Sequence, residues 1–142
     1  MMLTGDQGFL CRNVYVREAI DTKHEFFIGI ALDRDRGCPV IKYSEHGHLP
    51  YEEIMKRFPE DMNCIYVDVM KGVDMKLLLT VADTLGISQQ KSQLTFILKH
   101  LYDLFMERDG EIVELAPLIL SKDNQLIVSH AKIKIDESSL YR

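Results

Sequence analysis

Glu114 is the most informative charged residue of this chain, because it stands inside the apolar run EIVELAPLIL. A carboxylate there is costly unless it is paired, hydrogen-bonded or turned to water on an edge strand. The first two settings suit a working acid and the third an ordinary surface residue; the residues alone leave them level. Glu18 and Glu25 end one apolar stretch and begin the next, and by themselves they read as two solvated charges. The run EHGH puts His46 and His48 two positions apart beside Glu45. Two imidazoles at a strand end could hold a metal, but a third ligand at matched spacing is missing, so a polar loop is the plainer reading. No GxxxxGK[ST], GxGxxG or GxSxG run occurs. Cys11, Cys38 and Cys64 form no CxxC pair and no zinc spacing; they read as reduced thiols of an intracellular protein.

These side chains need elements to position them. Residues 13–20 (NVYVREAI) alternate well enough for a strand. Residues 25–33 (EFFIGIALD) are rich in aromatic and β-branched types and predict a buried strand, turning at DRDRG into a returning strand, CPVIKYS. Pro50 and the first-turn acids Glu52 and Glu53 predict a helix over 50–58. A short strand over 64–69 follows. Leu77, Leu78, Val81 and Leu85 predict a helix between Asp74 as cap and Gly86 as stop. The longest helix spans 88–110, with Leu94, Ile97, Leu98, Leu101, Leu104 and Phe105 at three- and four-residue spacing. A final hairpin joins 111–120 to 125–135 through SKDN. The order β-β-β-α-β-α-α-β-β predicts an α+β fold with helices on one face of a mostly antiparallel sheet.

The 142 residues suit a single domain, 1–142, with residues 1–12 as a loose lead-in. A net charge of −5 argues against nucleic acid as the main partner. No apolar run approaches the ~20 residues of a membrane span, so no membrane partner is expected. The N-terminal residues carry neither an apolar signal core nor an Arg-rich amphipathic pattern, which predicts no secretory or organelle signal in the chain.

Four collinear pieces resemble one family, the nucleotide-binding β subunit of succinate–CoA ligase, an ATP-grasp protein of the tricarboxylic acid cycle. VREAIDTKHEFFIGIALDR is similar to its hinge segment, where a glutamate is followed seven residues later by a second before an aromatic pair. PVIKYSEHGHLPYEE is similar to its S-x-x-GG-x-x-IE loop. LYDLFMERD is similar to the helix before the signature strand. ELAPLIL and SHAKIKIDESSLYR resemble the signature E-[IV]-N-P-L, the later D-[AG]-K and a final F/Y-R. The likeness runs over nearly the whole chain, and linked motifs in order are far more specific than any one of them.

The resemblance implies an ATP-grasp subdomain of the C-terminal type. It implies that Glu18 and Glu25 contact ATP or GTP, and that Glu114 helps to hold a phosphohistidine carried by an α-type partner subunit. It also marks departures. The signature asparagine and aspartate, both magnesium ligands in the family, are Ala116 and His130, and the second glycine of the GG loop is His48. Magnesium wants hard oxygen donors in near-octahedral array, which alanine and imidazole do not supply. The family's other nucleotide-binding lobe and its ligase domain have no counterpart in this sequence. The expectation is a chain without ligase activity alone, partnered by an α-type subunit or by itself. By resemblance it belongs in the mitochondrial matrix, and otherwise in the cytoplasm. Two alternatives stand beside it: a working fragment that needs other domains or an α subunit, and a free-standing partner-binding protein or metal binder using His46, His48 and His130.

Overall fold

The computed structural model describes residues 2–4, 9–11, 13–139 and 141. Two short strands, β1 (Met2–Thr4) and β2 (Phe9–Cys11), form an antiparallel pair within the expected lead-in. β3 (Thr22–Asp33) and β4 (Cys38–Ser44) make the hairpin expected around DRDRG. The Asp33 carboxylate accepts from the backbone N–H groups of Asp35 and Arg36, and Gly37 closes the turn at a φ of +64°. β3 pairs on its other edge with β6 (Gly110–Ser121), which makes it the central strand. β5 (Asn63–Tyr66) flanks β4, while β7 (Leu126–Val128) and β8 (Ala131–Ile135) follow one another along the outer edge of β6. Every pairing is antiparallel.

Alternation along the strands sorts the side chains to two faces. Phe26, Ile28 and Ile30 of β3, Ile41 and Tyr43 of β4, and Val113, Leu115, Leu118 and Leu120 of β6 share one core. Two helices cover it: α2 (Met75–Thr84), through Leu78, Val81 and Ala82, and α3 (Lys91–Glu107), through Leu94, Leu98, Leu101 and Phe105. The Asp74 carboxylate caps α2 by accepting from the Leu77 N–H at 2.7 Å. The shorter α1 (Tyr51–Arg57) lies on the other face, where the Tyr51 ring sits 5.9 Å from Phe27 and its hydroxyl accepts from Lys42 Nζ at 2.7 Å. Among the described residues no helix is long and apolar enough to cross a membrane.

Two expected strands differ. Residues 13–21 are not a strand. Their alternation finds no neighbouring ladder, and Val14, Tyr15 and Val16 stand 69%, 88% and 85% exposed. The expected strand over 125–135 is divided at Ser129 and His130. The cause lies opposite, at Ala116–Pro117 of β6, where the pairing with β3 also shifts register. Pro117 has no N–H to give to a ladder, so regular pairing stops on either side of it. What remains there is local: the Ala116 N–H donates to the His130 carbonyl at 3.2 Å and the Ser129 N–H to the Pro117 carbonyl at 3.3 Å.

Candidate functional site

The sheet face turned away from the main core carries Glu25 and Glu114. β8 pairs Lys132 with Glu114, β6 pairs Glu114 with Gly29, and β4 pairs Gly29 with Lys42. These four form one rung on that face. Gly29 leaves a gap in it that the Glu114 side chain and the Phe27 ring fill: an added Cβ would lie 3.4 Å from Glu114 Cγ and 3.1 Å from Phe27 Cζ. Glu114 is only 16% exposed, and Lys132 Nζ lies 3.7 Å from its Oε2. The alternatives left open by the sequence resolve toward a half-buried, paired carboxylate.

The loop over 45–49 crosses β3 beside this rung. The Gly47 N–H donates to the Glu25 carbonyl at 3.1 Å, and a Cβ on Gly47 would stand 2.4 Å from the Phe26 backbone. No larger residue fits that approach, which accounts for the one glycine kept from the paired-glycine pattern. His46 fastens the loop from the other side. Its Nε2 lies 2.8 Å from Asp61 Oδ2, its ring stacks on Phe58 at 4.1 Å, and its N–H donates to Ser44 Oγ at 3.3 Å.

Two clefts open on the same face and share Ala116, Pro117 and His130 as lining. One, of about 270 Å³, is bounded by Gly47, His48, Tyr51, Glu114 and Lys132. The other, of about 490 Å³, is bounded by Arg17, Ile20, Thr22, Glu25, Ile119 and Ser129. Glu25, Glu114, Ala116 and His130 are thus brought together. Glu18 is not: it lies in the exposed stretch before β3 and lines neither cleft. Reading the sequence missed Arg17, whose Nη1 donates to the Ser129 carbonyl at 3.0 Å and Nη2 to Ser129 Oγ at 2.7 Å. It also missed Lys132 as the partner of Glu114, although the D-[AG]-K likeness already marked that position.

Ala116 and His130 face each other across the interruption between β6 and β8, and neither offers an oxygen-bearing side chain. Among the described residues no group of three or more His, Cys, Asp or Glu could hold a metal ion. The alternative that joined His46, His48 and His130 into a metal site is corrected accordingly. His46 is engaged by Asp61, and its ring meets His48 edge-on at 6.1 Å.

The family model described as the ATP-grasp domain matches residues 1–120. This chain belongs to the ATP-grasp family. Curated relatives are succinate–CoA ligase β subunits. The ADP-forming mitochondrial β subunit of Neurospora crassa is 31% identical over 98% of this chain and 31% of its own length. The ADP-forming β subunit of Sulfurimonas denitrificans is 34% identical over 98% of this chain and 36% of its own length. The chain therefore spans about a third of the relatives it matches. ATP citrate lyase from Methanothrix soehngenii superposes with a TM-score of 0.57 at 19% identity, over 84% of this chain and 26% of the enzyme. That likeness bears out the α+β ATP-grasp fold expected from the sequence.

Proposed function

We propose that this chain is an ATP-grasp subdomain of the succinate–CoA ligase β type. It supplies one wall of a nucleotide site and the carboxylate Glu114, does not hold magnesium in the family's manner, and makes no acyl-CoA by itself. One observation carries the reading. The two positions that the family pattern gives to magnesium ligands are hydrogen-bonded neighbours, Ala116 and His130, at the centre of the two clefts. A methyl group and an imidazole there do not suit a hard cation. Of the retained residues, Glu25 and Glu114 line these clefts, which supports a nucleotide role for the first and a contact with a phosphorylated partner side chain for the second. Glu18 sits where only a second lobe or a bound ligand folding over it would bring it into play.

The chain's partner in this reading is a succinate–CoA ligase α-type subunit, or a second copy of itself. The exposed apolar side chains of Val14, Tyr15 and Val16 support such docking. A working-fragment role stays as the second reading, because the Glu114–Lys132 pair is intact. A coupled ligase assay separates the two. The chain is mixed with an α-type subunit, and then also with a polypeptide carrying the remaining two thirds of a β subunit. Acyl-CoA formed in the three-component mixture at the rate of an intact β subunit supports the working fragment. No turnover there, together with α-subunit binding by light scattering, supports the non-catalytic reading. A clean monomer that ignores the α subunit contradicts both.

A further inference from the structure

We infer that the cleft holding Arg17 and His130 binds a polyphosphate anion with side-chain donors alone, in place of a divalent metal. The inference rests on the nucleotide-site reading above and names how that site handles charge.

The first observation is that metal does not fit. Glu114, the carboxylate on the adjoining rung, already faces the Lys132 ammonium at 3.7 Å, and the two opposed positions at the centre carry no oxygen side chain. The second is that a fixed cation has been brought to the same spot. Arg17 comes from a stretch with no ladder partner, yet both of its terminal nitrogens are held by Ser129, the residue before His130. Both acceptors are neutral, so they orient the guanidinium without cancelling its charge. Two of its five N–H donors are used and three are left for a ligand. Guanidinium matches the oxygen spacing of phosphate, and its charge persists at any working pH. The third observation is the replacement at position 130. The imidazole is exposed, and in either tautomer it offers one ring N–H to an anion. An aspartate there would repel an anion unless a metal stood between them.

The setting favours the same class. Ile20, Pro117 and Ile119 give the cleft of about 490 Å³ an apolar lining beside these donors. The Glu25 side chain also lines the cleft. It disfavours a bare anion but accepts from hydroxyl groups, so a nucleoside-borne polyphosphate suits the cleft better than a free one.

Calorimetric titration of the whole chain with ADP and with inorganic pyrophosphate, each in EDTA and in excess magnesium, is the test. ADP is expected to bind in EDTA at least as tightly as in magnesium, because complexation lowers the charge that Arg17 meets. Arg17→Gln is expected to weaken ADP in EDTA by about ten- to a hundredfold, and His130→Asp to weaken it as well. Lys99→Gln removes the same charge from α3 on the far side of the sheet, and it leaves binding unchanged. Tighter ADP than pyrophosphate supports a nucleoside-borne ligand, and the reverse supports the same donors with a free polyphosphate. Binding that needs magnesium overturns the inference and leaves the nucleotide-site reading standing. Binding in EDTA that is indifferent to Arg17→Gln also overturns it. No ADP binding in either buffer overturns the nucleotide-site reading itself.

Discussion

Gly47→Ala tests whether the loop over 45–49 is seated on β3 as described. The added Cβ would lie 2.4 Å from both N and C of Phe26, where ordinary contact begins near 3.4 Å. Something must give by about 1 Å. β3 is a poor candidate: Phe26 is 3% exposed, packed in the main core and paired with Leu118. The loop has to lift, and lifting breaks the 3.1 Å bond from the Gly47 N–H to the Glu25 carbonyl. The lost bond costs about 0.5–1.5 kcal/mol, and residual overpacking about 1–3 kcal/mol. The total, about 2–4 kcal/mol, corresponds to a melting temperature lower by roughly 5–15 °C in a chain of this size. Calorimetric melting gives the shift, and amide hydrogen exchange shows whether position 47 has lost its protection. A melt within about 2 °C of the wild type, with the amide at position 47 still protected, would refute the close approach and the reason offered for the glycine.

Two further outcomes follow from the core. Leu98 is fully buried between α3 and the sheet, so Leu98→Ala should destabilise by about 2–5 kcal/mol in a denaturant titration. The Tyr102 phenol is pushed above its ordinary value of 10.0, first by burial and then by the Asp103 carboxylate. The folded state holds the neutral form, so this contribution is present below the unfolded value of about 10 and is lost as the pH rises beyond it. Alkaline absorbance titration should show a step above the ordinary phenol range, and Tyr102→Phe should remove it.

The elements were legible where a local pattern and a partner agreed. The β3–β4 hairpin announced itself by alternation broken at DRDRG, and α2 by Asp74 at its start. Residues 13–20 carried the same alternation, but pairing is a property of neighbours, and among the described residues they pair in no ladder. Pro117 was visible in the sequence; that its missing N–H would divide the facing strand at His130 depended on register. The site followed the same division. The resemblance to the family's linked motifs marked Glu25, Glu114, Ala116 and His130, and the fold brings them to one face. Arg17 acts across a sequence separation of 112 residues, and no local signal marks it. Glu18 fitted the hinge pattern and still lies outside the clefts, because that stretch is not part of the sheet.

The central claim is that the ATP-grasp frame is kept while the magnesium ligands are not. The direct measurement is the change in ATP affinity on adding magnesium, taken for the wild type and for Ala116→Asn combined with His130→Asp. The two proteins differ only at these two positions, so every other contribution cancels in the comparison. If each restored oxygen contact contributes about 1.5–3 kcal/mol, the double variant gains about 3–6 kcal/mol with magnesium, or two to four decades in affinity. The account predicts no magnesium-dependent gain in the wild type and a gain of that size in the variant. Magnesium-dependent binding by the wild type in the micromolar range would contradict it.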